Sequence, residues 1–190
     1  MNELIAYLAF LISCFVITFV TNICMSTKNY VLTAEQVSYK LHRLALEVAE
    51  HLQDETEPLI IIGVLNKGMV IAEKLGELIK PYLNIQVEII SASLNKDMPA
   101  DVTLSKNIDF NNKNILIVDD VANSGKTLLY VLKPLLAFYP KRIQTLVLVE
   151  RMYKLYPVKP DYVGLSIATT LQDHIQVEVE DNKIVGAYVM

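Results

Sequence analysis

Two adjacent carboxylates stand directly in front of a short loop of small and polar residues. Asp119 and Asp120 follow the apolar run 115–118, and the loop after them consists of Ala122, Asn123, Ser124, Gly125, Lys126 and Thr127. Such a loop presents consecutive backbone N–H groups to an anion, and a helix that begins at its end adds the positive end of a dipole. The pattern predicts a phosphate site beside two acids.

The end of this loop also matches the end of the nucleotide-binding P-loop motif. That motif requires a glycine five positions before Gly125, and Asp120 occupies the position. A carboxylate there would repel the phosphates, which excludes the P-loop. An ordinary strand-to-helix turn capped by Ser124 would explain the loop but not the two acids.

The elements that must position these residues alternate between helix and strand. Thr33 and Gln36 form a capping box that begins an amphipathic helix over 33–53. Apolar runs predict strands over 59–64, 87–92, 115–118 and 145–149. Helical periodicity predicts two further helices over 69–80 and 126–138.

The C-terminal residues follow a different pattern. Strict alternation in 175–180, a turn at 181–183 and a second apolar run over 184–189 predict an antiparallel hairpin. The predicted fold class is therefore α/β, a doubly wound and mainly parallel sheet with a small β-rich hood. In such sheets ligands bind at the carboxyl ends of the strands, where Asp119 and Asp120 stand.

The order of strand, two acids, phosphate loop and helix resembles the signature of type I phosphoribosyltransferases. These enzymes join a nucleobase to the ribose of 5-phosphoribosyl-1-pyrophosphate (PRPP). The resemblance implies that Asp119 and Asp120 hold the ribose hydroxyls and stabilise a cationic, oxocarbenium-like sugar, while loop 122–127 holds the 5′-phosphate. It also implies Mg²⁺, which neutralises the departing pyrophosphate and reaches the two acids only indirectly, through the ribose hydroxyls.

The turn after the first strand of the sheet is similar to the family's pyrophosphate loop. Leu65, Asn66, Lys67 and Gly68 would grip the leaving group with backbone amides and one basic side chain. The polar stretch 93–112 falls where the family has a mobile lid that excludes water from the activated sugar. Lys96 could reach the pyrophosphate from this lid, and a solvated loop lysine is the alternative.

The stretch 159–164 resembles the part of the family's hood that covers the base. The resemblance implies a base site formed by Val121, by the ring of Tyr162 as a stacking partner and by the backbone of Val163. The alternative for Tyr162 is an aromatic side chain of the core. Both interpretations stay open from the sequence.

The segments 149–151, 159–164 and 166–170 are most similar to pyrimidine-operon regulators with uracil phosphoribosyltransferase activity, and this similarity covers 30–190. Purine-salvage relatives carry a lysine at the position of Glu150 and an acid at that of Thr169, so a pyrimidine such as uracil is expected. A purine enzyme for hypoxanthine or guanine, and an RNA-binding regulator with little catalysis, are the alternatives. The net charge of −4 favours the enzyme over RNA binding. A homodimer or higher homo-oligomer is expected.

An apolar segment without charge extends from Leu4 to Cys24 and would span roughly 30 Å as a helix. It is interpreted either as a membrane anchor or as an upstream extension, with Met25 as the true start. Both interpretations divide the chain into 1–24 and a phosphoribosyltransferase domain over 25–190, and both place that domain in the cytoplasm. Cys14 and Cys24 are the only cysteines and indicate neither a disulfide nor a zinc site.

Overall fold

The computed structural model describes residues 28–95, 101–168 and 173–190. The expectations for 1–24 and for Lys96 therefore lie outside the described residues. The strands are β1 Asn29–Thr33, β2 Leu59–Val64, β3 Val87–Leu94, β4 Val102–Leu104, β5 Asn114–Ala122, β6 Arg142–Arg151, β7 Tyr162–Ile167, β8 Ile175–Glu180 and β9 Lys183–Val189. The α-helices are α1 Ala34–Leu52, α2 Lys67–Ile79 and α3 Lys126–Leu132.

A six-stranded sheet in the order β4-β3-β2-β5-β6-β7 forms the centre of the fold. All its neighbouring strands run parallel except β4, which pairs with β3 in the antiparallel direction. Every residue of β2 and β5 is buried, as expected for continuous β-branched runs covered on both faces. The predicted doubly wound α/β fold is confirmed.

Helices cover both faces of this sheet and create two cores. One core packs the apolar sides of α1 and α2 against the sheet and includes Leu44, Leu75 and Leu116. The other packs Leu128 and Val131 of α3, together with Phe110, against the opposite face. This arrangement leaves the carboxyl ends of β2, β5 and β6 at one edge, where the loops that follow them meet.

The C-terminal hairpin is part of a separate antiparallel sheet in the order β1-β9-β8. β8 and β9 form the predicted hairpin, with Asp181 and Asn182 at positive φ in its turn. The sequence did not predict β1, because this five-residue strand directly precedes the capping box of α1. The small β-rich hood is thus a three-stranded sheet that holds both ends of the described chain.

Several other elements differ from the predictions. β5 continues through Ala122, so that both acids belong to the strand itself. The predicted helix over 126–138 is α-helical only to Leu132 and continues as a 3-10 helix over Lys133–Ala137, because Pro134 cannot donate a backbone hydrogen bond. The polar stretch 93–112 contains the short strand β4, and β7 was not predicted as a strand.

Among the described helices, none combines the length and apolar character needed to cross a bilayer.

The capping box at the start of α1 provides a test of the fold. The Thr33 hydroxyl accepts from the Gln36 N–H at 3.3 Å, and the Gln36 side chain accepts from the Thr33 N–H at 2.9 Å. We expect Thr33→Ala to lower the free energy of unfolding in urea by about 1 kcal/mol, because one N–H at the helix start loses its acceptor. Thr33→Ser keeps the hydroxyl and is the control. Equal losses in both variants would contradict this role of the cap.

Candidate active site

A cavity of about 280 Å³ lies at the carboxyl end of β5. It is lined by residues from the end of this strand, the following loop, the start of α2 and strand β8. These residues are Lys67, Asp119, Asp120, Val121, Ala122, Asn123, Ser124, Gly125, Lys126, Thr127, Leu128, Ile175 and Gln176. The structure thus brings Lys67, which is distant in the chain, to the acids and the predicted phosphate loop that follows them.

The two acids form one wall of this cavity and are largely withdrawn from solvent. Asp119 is 2% exposed and Asp120 is 8% exposed, because the strand that carries them is covered on both faces. The Asp120 N–H donates to Asp119 Oδ1 at 2.9 Å, which fixes the orientation of the first carboxylate. Carboxylates at such a site interact more strongly with a positive charge than they would in water.

The loop after the acids turns sharply into α3. Gly125 has a φ of 81°, a left-handed conformation that favours glycine, and α3 begins at Lys126 as predicted. The Ser124 hydroxyl accepts from the Lys126 N–H at 3.3 Å. The loop therefore lines the cavity with short side chains and backbone at the start of a helix, an arrangement suited to a phosphate.

The predicted pyrophosphate loop lies directly against the acids. A Cβ on Gly68 would stand 2.8 Å from the Val118 carbonyl oxygen and 3.1 Å from Asp119 Cα, so only glycine permits this approach. Lys67 begins α2 and lines the cavity, whereas Leu65 donates its N–H to the Ala92 carbonyl at 3.0 Å. Asn66 precedes α2 and makes no side-chain cap hydrogen bond. The Leu65–Asn66 peptide bond is cis.

The structure does not bring the predicted hood residues to this cavity. Tyr162 is 4% exposed and belongs to the core, where its ring packs edge-on against His51 with centroids 5.6 Å apart. The predicted stacking of Tyr162 on a base is therefore wrong for this structure, because α1 covers the ring. Burial also raises the pKa of its hydroxyl. The Val163 carbonyl accepts from the Arg43 guanidinium at 2.7 Å instead of facing the acids.

The register of the sheet explains this difference. In β5, β6 and β7, Val118 is level with Leu146 and Tyr162, three strand positions before Val121. The residues level with Val121 are Val149 and Leu165, and the next row holds Ala122, Glu150 and Ser166. Glu150 and Ser166 are thus nearer than Tyr162 to the carboxyl edge of the sheet.

Glu150 marks a second cavity of about 680 Å³ beside β6 and β7, with Val163 and Arg43 also in its wall. The Glu150 carboxylate is 7% exposed, accepts from the Ser166 hydroxyl at 3.0 Å and pairs with the Lys154 ammonium at 3.2 Å. Burial lowers the pKa of Lys154, and the hydrogen bond to Glu150 opposes this shift.

The connection from β6 to β7 supports the phosphate loop, a function that the sequence analysis missed. The backbone N–H groups of Leu155 and Tyr156 both donate to the Ser124 carbonyl, at 3.1 and 3.0 Å. The Lys154 ammonium donates to the Ala122 carbonyl at 3.0 Å and so joins the loop to Glu150. In the sequence, the only indication of this contact was that Lys154 follows the acid Glu150 by four residues, in a connection without periodicity.

Comparisons with known proteins identify the family of the chain. The sequence profile of the family described as phosphoribosyl transferase domain matches residues 30–182. The Bifunctional protein PyrR of Clostridium novyi is 28% identical over 167 residues, which cover 83% of this chain and 93% of that protein. The protein of the same name in Clostridium kluyveri is 29% identical with the same coverage.

Solved structures show the same fold. The hypoxanthine phosphoribosyltransferase of Trypanosoma cruzi matches with a TM-score of 0.71 and 18% identity, over 85% of this chain and 95% of that one. A hypoxanthine-guanine phosphoribosyltransferase from Bacillus anthracis matches with a TM-score of 0.61 and 24% identity, over 74% and 83% of the two chains. At these identities the likeness concerns the fold alone.

The Lys154 bridge leads to a prediction about stability. We expect Lys154→Met to lower the free energy of unfolding by about 1–3 kcal/mol, because the buried Glu150 loses its cation and the Ala122 carbonyl loses a donor. The double variant Lys154→Met/Glu150→Gln should recover part of this loss. Urea denaturation measures both, with Lys183→Met at the exposed hairpin turn as a matched control. A Lys154→Met protein as stable as the control would show that the bridge contributes nothing.

Proposed function

This chain belongs to the phosphoribosyl transferase family, and we propose that it transfers the 5-phosphoribosyl group of PRPP to a pyrimidine base such as uracil, with release of pyrophosphate. That it is a phosphoribosyltransferase follows from the family profile over 30–182. The main support for the proposed site is that a single cavity is lined by Asp119, Asp120, the predicted phosphate loop and Lys67.

The chemistry requires negative charge beside the sugar. The bond from ribose C1′ to the pyrophosphate oxygen breaks, a bond from C1′ to a ring nitrogen of the base forms, and the base loses the proton of that nitrogen. Positive charge develops on the sugar between these events. Asp119 and Asp120 would supply negative charge that is largely shielded from solvent, where electrostatic stabilisation is most effective.

The two ends of PRPP would occupy opposite sides of the acids. Loop 122–127, at the start of α3, would bind the 5′-phosphate through its backbone N–H groups. The turn 65–68, at the start of α2, would bind the pyrophosphate with Lys67 as its cation. Gly68 keeps this second turn close to Asp119, so that one substrate would reach both loops.

The donor set of the site fits Mg²⁺ held mainly by the substrate. Asp119 and Asp120 offer the hard oxygen ligands that Mg²⁺ prefers, but the described residues contain no group of three potential metal ligands. The two acids would therefore hold the ion indirectly, through the ribose hydroxyls that they bind. When bound, Mg²⁺ neutralises charge on the leaving pyrophosphate.

The environment of Glu150 supports a pyrimidine over hypoxanthine or guanine. A carboxylate only accepts hydrogen bonds, so Glu150 cannot donate to the purine oxygen that a lysine at this position contacts in purine-salvage relatives. Ser166 and Lys154 hold Glu150 near the carboxyl edge of the sheet, in the row next to Val121. The sequence similarity to the PyrR proteins agrees with this choice.

An RNA-binding regulator that senses nucleotides is the second candidate, favoured by the similarity to proteins named as bifunctional. RNA binding requires a basic surface and weakens steeply with salt, and the net charge of −4 argues against it.

We also propose that residues 25–190 form the folded enzyme in the cytoplasm and that it assembles as a homodimer or larger homo-oligomer.

A panel of bases tests the substrate. The protein is incubated with PRPP, Mg²⁺ and one base at a time, and pyrophosphate release is measured. We expect a higher kcat/KM with uracil than with hypoxanthine or guanine. Faster turnover with either purine than with every pyrimidine would overturn the pyrimidine assignment. No release with any base, together with salt-sensitive RNA binding, would favour the regulator.

The double variant Asp119→Asn/Asp120→Asn tests the role of the acids. We expect the rate of phosphoribosyl transfer to fall by at least about a hundredfold, since stabilisation of the developing charge is lost. The free energy of unfolding should stay unchanged or rise, because two like charges are removed from one small site. Unchanged turnover in the folded variant would remove both residues from the mechanism.

A further inference from the structure

One polar side chain in the wall of the acid cavity comes from outside the central sheet. Gln176 lies in β8 of the three-stranded sheet and faces the cavity together with Lys67, the two acids and loop 122–127. It carries no charge, and it offers two N–H donors and one acceptor oxygen. No role proposed above for the acids, the loops or Glu150 involves it.

The orientation of Gln176 is set by a row of side chains across the small sheet. Tyr30 in β1, Tyr188 in β9 and Gln176 in β8 are direct neighbours in the strand register. The Tyr188 hydroxyl donates to Gln176 Oε1 at 3.3 Å. Because this bond uses the acceptor end of the amide, the N–H groups are the part of Gln176 that can serve a ligand.

Contacts on both sides hold the ring of Tyr188 in place. Tyr30 packs edge-on against it with centroids 5.7 Å apart, and the Lys28 ammonium lies 4.9 Å from its centroid. Lys28 and Tyr30 both bind the Glu178 carboxylate. The Glu178 carboxylate thus binds both residues that contact the Tyr188 ring, and the Tyr188 hydroxyl in turn binds Gln176.

This side of β8 is turned towards the predicted pyrophosphate loop. The pKa of Glu178 is lowered chiefly by the hydrogen bond from Lys28, then by that from Tyr30, and more weakly by the charge of Lys67. Lys67 is also the residue of the pyrophosphate loop that lines the cavity. Gln176 and Lys67 both line this cavity, one from the small sheet and the other from α2.

We propose that Gln176 donates an amide N–H to a pyrophosphate oxygen of PRPP and that Tyr188 is the positioning residue for this contact. The proposal rests on the proposed phosphoribosyl transfer. A neutral donor opposite Lys67 would hold the leaving group without adding a further charge. The small sheet would then be a direct part of the substrate site.

Binding of PRPP and of pyrophosphate, each with Mg²⁺, tests the contact by calorimetry. We expect Gln176→Ala to weaken both ligands by a similar factor, about tenfold or more, as when a hydrogen bond to a charged oxygen is lost. Gln176→Glu should weaken them further, since a carboxylate repels phosphate. Gln53→Ala, at the exposed C-terminal end of α1, is the matched control and should bind as the unaltered protein does.

Tyr188→Phe tests the positioning role, because it keeps the ring and removes the hydroxyl. We expect the KM for PRPP to rise about threefold, less than in Gln176→Ala, with the KM for the base unchanged. Tyr139→Phe on the surface is the control. A purely structural role of Tyr188 would instead lower stability without separating the two KM values, and it would overturn this part of the proposal.

Three outcomes would overturn the inference. Unchanged affinity for PRPP in folded Gln176→Ala and Gln176→Glu would remove the contact and leave the proposed function intact. Weaker binding of PRPP with unchanged binding of pyrophosphate would show that Gln176 does not contact the leaving group. Failure of the unaltered protein to bind PRPP would overturn the proposed function as well, which separates the two failures.

Discussion

Two carboxylates at the end of a strand that is buried on both faces are the constraint on which the rest of the structure depends. Asp119 and Asp120 are nearly inaccessible to water, although they carry like charges on adjacent residues. Isolated charges in such a place are costly unless hydrogen bonds and a cationic ligand compensate them. The hydrogen bond from the Asp120 N–H to Asp119 provides part of this compensation. In the proposed reaction, the positive charge on the sugar would add to this compensation.

Close packing fixes the positions of the two turns that we propose bind the anionic ends of the substrate. Gly68 lets the start of α2 approach the Val118 carbonyl, and Gly125 lets the phosphate loop turn against the carbonyls of Tyr156 and Val158. A side chain at Gly68 would push its loop away from the acids, and one at Gly125 would press against those two carbonyls from a left-handed backbone conformation. The connection after β6 then fixes the phosphate loop through Leu155 and Tyr156.

The second sheet closes the cavity on the side that the central sheet leaves open. β8 brings Ile175 and Gln176 to the cavity, while Val177 and Ala187 join the core formed with α1 and α2. The same strands therefore stabilise the fold and complete the site. Because β1 pairs with β9, this wall depends on residues from both ends of the described chain.

The sequence by itself determined the fold class and the centre of the site. Three local patterns were sufficient for this: the capping box at Thr33, the buried runs of β2 and β5, and the two acids followed by a small polar loop. Each can be recognised from neighbouring residues in the chain, because helix starts and buried strands have characteristic local sequences. Tertiary structure alone decided the rest. The register of β7 against β6 placed Tyr162 in the core, and a register cannot be read from a short strand without its partner. Lys154 and Gln176 reach the site through long-range contacts, and no local pattern records which distant residues meet in space.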